Sequence, residues 1–367
     1  MKSRTSEPTA LAAQAEAART EFRRPTARSG RSGPSPRALP VTFYLPGEAQ
    51  LDRLRELDPD RDWRELVRGE HAWVLQTFLR LRAAGYEVEL AEVPPSRGLV
   101  IYHAKHGRLL ARHLGAMREA VLVGIRADLR EPLTADFQVV QNHVFVDGRR
   151  CFYVPLWPQP DLLPRESSRG TEIGRIAFKG FVRNLHPAFH GPFWRQALEQ
   201  RGIRWELDAT GYNGTATCAA ELNWRDFREV DLVLAVRPAD HGGHRNKPAT
   251  KLYNAWAAGV PALLGPEPAY RELRQSELDY FEVRTPEEAV AAVDRLRQDS
   301  GLYRAMVENG QRRRAAFAAE EIVGLWAEVL FEQIPALVDQ RPLQAVPPRL
   351  RPLVRRAQRA FSGRPAR

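Results

Sequence analysis

The sequence predicts an α/β protein built from two doubly wound halves, each a parallel sheet with helices on both faces. Three observations lead to this prediction. Short apolar segments of strand length alternate with segments whose apolar residues recur at helical spacing. Such alternation favours a parallel sheet covered on both sides. Residues 155–172, which hold four prolines and lack periodicity, separate two alternating halves and are typical of a domain linker.

In the first half, residues 41–170, six segments read as strands, and the helix between the first two ends at Gly85. These strands are predicted at 41–47, 86–93, 98–104, 120–128, 136–142 and 149–155. In the second half, residues 171–320, five more strands are predicted, at 175–181, 203–209, 230–238, 260–265 and 279–283. A terminal helix over 321–340 follows, with one apolar stripe formed by Ile322, Leu325, Trp326, Val329 and Leu330.

The 367 residues are 43% hydrophobic and 27% charged, which is typical of soluble globular proteins and long enough for two cores. The formal net charge of +10 comes from the termini. Residues 1–40 carry +5 and residues 341–367 carry +8, which leaves −3 on residues 41–340. Because nucleic-acid-binding proteins place basic residues on a folded face, this distribution disfavours a specific nucleic-acid partner.

We interpret residues 1–40, rich in Arg, Ser, Pro and Ala, as a disordered basic tail. Residues 341–367 form a second basic tail, which suits either a solubilising role or peripheral contact with an anionic membrane. No apolar run approaches the ~20 residues that span a bilayer. Cys151 and Cys218 lie in unrelated contexts. We therefore expect a cytoplasmic protein, with attachment to the inner membrane face as an open alternative.

Basic residues gather where the predicted strand 230–238 ends and the next helix begins. Arg237 ends the strand, and the helix is predicted to open near residues 246–248, with Asn246 as the N-cap. Ligands of doubly wound sheets bind beyond the carboxyl ends of the strands, and a helix N-terminus there favours an anion. Together with Arg245, Lys247 and Lys251, this arrangement predicts a pyrophosphate site that needs no metal ion.

An acidic residue follows at the same predicted edge. After the strand 260–265 the chain turns, and Glu267 falls in the loop, where a carboxylate could hold sugar hydroxyls. His241 and His244 have the spacing of a metal pair, but no cysteine and no cluster of further ligands accompanies them in sequence, so no metal site is predicted.

The segment PATKLYNAWAAGVPALLG, residues 248–265, resembles the donor-binding segment of GT-B glycosyltransferases, especially the family 4-like group, also called glycosyltransferase group 1. That group often has a helix of the type P-x-K-aromatic-E-x-x-A-x-G, followed by a proline and an apolar strand. The later segments YREL, TPEEAVAAVDRL and LYRAMVENGQRRRAAF also fit. The resemblance covers roughly residues 175–320.

The resemblance implies two Rossmann-like domains that face each other across a cleft. Residues 41–170 would bind the acceptor, residues 171–320 the nucleotide sugar, and the helix 321–340 would pack back toward the first domain. The implied reaction moves a sugar from a nucleotide-diphospho-sugar to a hydroxyl of a saccharide, lipid or other acceptor, with no cofactor. A nucleotide-sugar epimerase of the same fold and a non-catalytic nucleotide-sugar-binding scaffold stay open as alternatives.

Ten residues are candidates for the site. The donor-binding candidates are Gly47, Lys179, Arg183, Arg237, Lys247, Lys251 and Asn254. The catalytic candidates, whose roles would be those of a general base or of a group that holds the sugar or the departing charge, are His103, Asp128 and Glu267.

The sequence departs from the family at two positions. The family has two glutamates separated by seven residues, of which the first contacts the donor sugar and the second holds the ribose. Asn246 and Asn254 stand there instead. Asn254 can still hydrogen-bond a ribose, whereas Asn246 supplies no negative charge, and Glu267 is a candidate replacement.

Overall fold

The structure is a computed structural model that describes residues 39–210, 223–239 and 243–338, with eight further residues between 346 and 357. The predicted tail 1–40, apart from Leu39 and Pro40, lies outside the described residues, and so do Cys218, His241 and most of 341–367. The described residues contain a six-stranded and a five-stranded sheet, both parallel. The predicted α/β architecture is therefore confirmed.

The first sheet has the strand order β2-β1-β3-β4-β5-β6. Its strands are β1 Val41–Tyr44, β2 Val88–Ala91, β3 Arg97–His103, β4 Glu119–Ile125, β5 Phe137–Val140 and β6 Cys151–Tyr153. Most of their residues are buried because helices cover both faces. The chain runs from β1 to β2 on one side and returns to β3 on the other, which creates a switch point between β1 and β3. His103, Asp128 and Gln141 all lie at or beyond carboxyl ends of strands on this edge.

The second sheet has the strand order β11-β10-β9-β7-β8, with its switch point between β7 and β9. Its strands are β7 Arg175–Phe181, β8 Arg204–Thr210, β9 Leu232–Ala235, β10 Ala262–Leu264 and β11 Phe281–Glu282. Ala235 of β9 pairs with Leu264 of β10, and Ala177 of β7 pairs with Val233 of β9. This register brings the residues that follow β9 and β10 together beside the end of β7.

Helices cover both sheets, with short 3₁₀ and π segments between them. The α-helices are α1 Leu51–Arg55, α2 Gln76–Ala83, α3 Gly107–Ala111, α4 Pro192–Glu199, α5 Thr250–Ala258, α6 Pro268–Leu273, α7 Pro286–Gln298, α8 Ser300–Arg313, α9 Ala319–Ala327 and α10 Ile334–Val338. The π segment Glu328–Gln333 joins α9 to α10. Within the described part of the chain, no helix has the length and apolar character needed to cross a membrane.

Helices α9 and α10 and a later segment with Arg351, which follow the second sheet in the chain, pack on the first sheet. Ile322 and Trp326 of α9 and Ile334 of α10 share the apolar core of the first sheet. Farther on, the Arg351 guanidinium is buried and bound to the Asp136 carboxylate at 2.8 Å. Arg351 of the second basic tail is therefore held against the first sheet, while membrane contact by residues 341–367 stays a prediction.

A buried carboxylate fixes the end of the linker to the second sheet. Asp231 is fully buried at the start of β9 and accepts hydrogen bonds from Arg165, Arg169 and the backbone N–H groups of Gly174 and Arg175, at 2.8–3.0 Å. Burial opposes its ionisation, but these hydrogen bonds outweigh burial and hold its pKa below the ordinary value. The carboxylate thereby ties the linker to β7 and β9.

Replacing Asp231 with Asn should strongly destabilise the fold, because two arginine side chains would lose their buried counter-charge. We expect a loss of about 3–5 kcal/mol in the free energy of unfolding, measured by urea denaturation at neutral pH. The matched variant Asp226→Asn removes a carboxylate whose partner Arg228 is exposed, and it should cost less than about 1 kcal/mol. Equal losses in the two variants would contradict this role of Asp231.

Candidate functional site

A buried ion pair lies at the carboxyl edge of the second sheet. Because β9 and β10 are neighbouring parallel strands, Arg237 and Glu267, which follow them, meet beyond their ends. Nε of Arg237 donates to Oε2 of Glu267 at 2.8 Å, and the two side chains are only 7% and 3% exposed. Glu267 therefore follows β10 as the N-cap residue of α6, and its carboxylate is buried against an arginine.

This ion pair leaves polar atoms without partners. Nη1 of Arg237, Oε1 of Glu267 and the hydroxyl of Tyr270 in α6 are buried and make no hydrogen bond to any described residue. An unsatisfied buried polar group costs about 1–3 kcal/mol, so a cluster of them marks a position where a ligand or water belongs. The cluster offers a cationic donor, an anionic acceptor and a hydroxyl, which together match a polyhydroxylated ligand.

Lys251, in the first turn of α5, completes the positive charge at this edge. Its Nζ donates to the backbone carbonyl of Lys179 and lies 4.7 Å from the centroid of the Phe178 ring. Gly180 has φ of +151°, which favours glycine, and a Cβ at that position would lie 2.7 Å from Nζ and displace it. Burial of the ammonium, reinforced by the Arg237 charge, lowers the pKa of Lys251 to about 7. Two of its three N–H donors are not used by the Lys179 carbonyl.

The other two basic candidates from β7 have different surroundings. The Lys179 ammonium is bound by Asp208 at 3.0 Å and Glu206 at 3.5 Å, both on β8, and by the Asn223 carbonyl at 3.1 Å. These partners surround the Lys179 ammonium, and its predicted role in donor binding stays a prediction. Arg183 is exposed just beyond β7, with its guanidinium 5.6 Å from the Phe181 ring centroid.

The loop before α5, residues 243–249, is held by the end of β5. Nδ2 of Asn142 donates to the carbonyls of Arg245 and Lys247, and Nε2 of Gln141 donates to the carbonyl of Asn246. Helix α5 begins at Thr250 with Ala249 at the N-cap. The predicted opening at residues 246–248, capped by Asn246, is therefore wrong, and residues 245–247 lie in a loop that these side chains contact.

Lys247 is paired across the two sheets. Its Nζ lies 2.5 Å from Oδ2 of Asp128, which follows β4. Burial opposes ionisation of Asp128, but the Lys247 ammonium outweighs it and lowers the pKa of the carboxyl. Ala127, immediately before it, has a left-handed φ of +50°, a strained conformation for alanine. The site thus includes residues from both sheets.

His103 ends β3, and its side chain is buried. Its Nδ1 accepts the backbone N–H of Lys105 at 3.2 Å, so the proton of the neutral ring is assigned to Nε2. Burial lowers the pKa of His103 to about 4. This arrangement favours a neutral donor, and the expected role of His103 as a general base stays a prediction.

Sequence comparisons find no family for this chain, and structural comparisons show its fold. No protein-family model and no curated protein matches the sequence. The sucrose-phosphate synthase of Thermosynechococcus elongatus aligns over 81% of this chain and 100% of its own, with 12% identity and a TM-score of 0.57. The chain has the GT-B fold. HepE of Anabaena, solved with UDP and glucose, aligns over 80% of this chain and 99% of its own, with 15% identity and a TM-score of 0.50.

Two further candidates take up distinct places in this GT-B structure. Gly47 is exposed in the turn after β1, with a left-handed φ of +79° and no atom close to the position of a Cβ. Asn254 lies one turn after Lys251 in α5, and its Oδ1 accepts the backbone N–H of Gln159 in the linker at 3.0 Å. The Asn254 carbonyl oxygen thus contacts the linker, and its predicted contact with ribose stays a prediction.

Several polar residues at the GT-B cleft edges escaped the sequence analysis. Glu70 is buried near His103, and although burial opposes its ionisation, a backbone N–H, Lys105 and Arg68 lower its pKa to about 2. Glu70 lies in a stretch without periodicity, so the sequence did not indicate it as a site residue. Gln141 and Asn142 could have been found from the sequence, because an uncharged polar pair ends a predicted buried strand at the edge where ligands bind. Among the described residues, no group of three His, Cys, Asp or Glu is placed to hold a metal ion.

Replacing Lys251 with Met should raise stability at low pH. The folded pKa of about 7 lies below the ordinary 10.5, so the unfolded chain binds this proton more tightly. This difference lowers the free energy of unfolding by its full amount below about pH 7, and the loss shrinks as the pH rises toward 10.5. We expect the melting temperature of the variant to exceed that of the wild type at about pH 6, with a smaller difference at about pH 9. A variant that is less stable at the lower pH would contradict burial of the charge.

Proposed function

We propose that this protein is a glycosyltransferase that moves a sugar from a nucleotide-diphospho-sugar to an acceptor hydroxyl. The observation that carries the proposal is the Arg237–Glu267 pair, with its unpartnered donor and acceptor atoms, beside Lys251 at the ligand edge of a GT-B fold. HepE, which shares the fold, was solved in complex with UDP-glucose. Its bound ligand supports a nucleotide sugar as the substrate class.

The diphosphate is assigned to the start of α5. Lys251 lies in the first turn of this nine-residue helix, where backbone N–H groups and the helix dipole favour an anion. An ammonium with a pKa of about 7 becomes fully charged when a diphosphate binds beside it, because the opposite charge raises its pKa. Lys251 would then stabilise the charge that develops on the leaving group, so the proposed reaction does not depend on a metal ion.

The sugar is assigned to the space next to the ion pair. Nη1 of Arg237 would donate to a sugar oxygen and Oε1 of Glu267 would accept from a sugar hydroxyl, which would satisfy both buried atoms. Nε2–H of His103 supplies a neutral donor from the opposite sheet. Glu267 thereby offers the carboxylate that Asn246 lacks, and the acceptor would approach from the first sheet.

The chemical step is a substitution at the anomeric carbon. The acceptor oxygen forms a bond to that carbon, and the bond from carbon to the diphosphate oxygen breaks with its electron pair leaving on the diphosphate. The acceptor proton passes to the departing phosphate oxygen or to water. Asp128 is a weak base because Lys247 lowers its pKa, and we assign it to the positioning of Lys247.

Incubation with UDP-, GDP- and ADP-sugars, with and without added hydroxyl acceptors, tests the activity. We expect one nucleotide sugar to bind by calorimetry and its nucleoside diphosphate to be released only when an acceptor is present. Isomerised sugar in the absence of acceptor would replace the proposal with an epimerase, and binding without turnover would replace it with a scaffold. Failure of every nucleotide sugar to bind would overturn the site itself.

The variant Lys251→Met tests the diphosphate assignment. Wild-type affinity for the nucleoside diphosphate should fall as the pH rises from about 7 to about 9, because the free lysine loses its proton there. The variant should bind at least about ten-fold more weakly at about pH 7, a loss of about 1.4 kcal/mol, and without this pH dependence. Equal affinity in both proteins, or the same pH profile, would remove Lys251 from the site.

A further inference from the structure

We propose that Gln141 and Asn142 of the first domain are positioning residues for the donor site of the second domain. The first domain is the six-stranded sheet with its helices, the second domain is the five-stranded sheet with its helices, and the donor loop is residues 243–249. The geometry stands by itself, whereas its effect on donor binding rests on the proposed function. Neither residue touches the Arg237–Glu267 pair, so both would act through the donor loop.

The two amides bind three consecutive carbonyls of the donor loop. Asn142 donates to Arg245 and, at 3.0 Å, to Lys247, while Gln141 donates to Asn246 between them. Both side chains are buried, with 6% exposure for Gln141 and 1% for Asn142. A carbonyl can only accept, so each contact fixes the amide nitrogen toward the loop. The loop conformation that leads into Lys251 therefore depends on side chains more than 100 residues earlier.

A second contact from the same segment holds α6. The Glu272 carboxylate accepts the backbone N–H of His143 at 2.8 Å and that of Val144 at 3.2 Å. Helix α6 carries Tyr270, and Glu267 is its N-cap residue. Residues 141–144 thus contact both chain segments that carry proposed donor-site residues. The cavity between these segments, lined by Gln141, Tyr153, Tyr253 and Glu272 among others, has a volume of only about 10 Å³, about one water molecule.

Two side-chain contacts between the domains reinforce the same junction. In the first, the Arg245 guanidinium lies 5.7 Å from the centroid of the Phe145 ring, and the Arg126 guanidinium of the first domain lies 4.0 Å from the same centroid. The second is the Lys247–Asp128 pair. The donor loop is consequently built by both domains, and separation of the domains would remove the partners of its three carbonyls. Donor affinity should therefore fall when the first domain loses these amides.

The chain offers a matched pair of variants. Gln141→Met removes a buried amide that reaches the donor loop, and Gln138→Met removes a buried amide on β5 whose nitrogen donates to Glu131 within the first domain, at 3.0 Å. The double variant Gln141→Met/Asn142→Leu removes all three contacts with little change of shape. If the double variant fails to fold, Gln141→Met alone carries the comparison. All variants are made in the full chain.

The first measurement needs no ligand. Trypsin cleavage after Arg245, followed by mass spectrometry, reports the order of the donor loop, and we expect at least about ten-fold faster cleavage in the Gln141 variants than in Gln138→Met. The second is the dissociation constant and the KM for the nucleotide sugar that the wild type uses. Both constants should rise about ten-fold in the Gln141 variants, with kcat and the acceptor KM nearly unchanged, a split that a general loss of fold would not produce.

The outcomes separate this inference from the proposed function. Unchanged cleavage after Arg245 would overturn the positioning role, whatever the protein binds. Faster cleavage with unchanged nucleotide-sugar affinity would also overturn it, because the loop would then be irrelevant to the donor. Faster cleavage in a protein whose wild type binds no nucleotide sugar would support the contact between the domains and would refute the glycosyltransferase proposal alone.

Discussion

The arrangement of charges at the carboxyl edge of the second sheet depends on the register of three parallel strands. Because β9 pairs with β7 on one side and β10 on the other, Gly180, Arg237 and Glu267 emerge at nearly the same level. A shift of one residue in either pairing would turn each side chain to the opposite face of the sheet. The apolar residues of β9 hold the register in place, since all four are buried and a slip would expose or misplace them. Packing of the core therefore sets the geometry of the charges.

Burial then gives these charges their strength. In a medium of low dielectric constant, an ion pair interacts more strongly than in water, and an unpaired charge costs more. The charges of Arg237 and Glu267 compensate each other, whereas the cost of burying the Lys251 charge is reduced by its lowered pKa. A diphosphate would suit such a site, as proposed above, because the Glu267 carboxylate near Lys251 is already paired with Arg237.

The sequence analysis predicted the fold better than the site. All eleven strands occur where apolar runs predicted them, since burial in a parallel sheet leaves a local signature. The placement of Arg237 and Glu267 beyond neighbouring strands was also accessible from the strand ends. The partners of Lys179 were not, because Asp208 lies on another strand and pairing depends on register. The Asn142 contacts with the donor loop join residues 103 and 105 positions apart, and no local pattern reports such a distance.

The linker crosses from one domain to the other within a very short span. Tyr253 donates to the Leu156 carbonyl and Asn254 accepts from Gln159, while Trp157, between these two contacts, lies in the core of the first sheet with its Nε1 bonded to Thr77 at 2.9 Å. Beyond this span, Asp231 fixes the rest of the linker to the second sheet. The chain crosses between the sheets a second time just before α9, because Phe317 lies in the core of the second sheet and Ile322 in that of the first. A change in the angle between the sheets would therefore bend the chain at both crossings. Helix α5, which carries Lys251, is hydrogen-bonded to the first crossing and would move little relative to it.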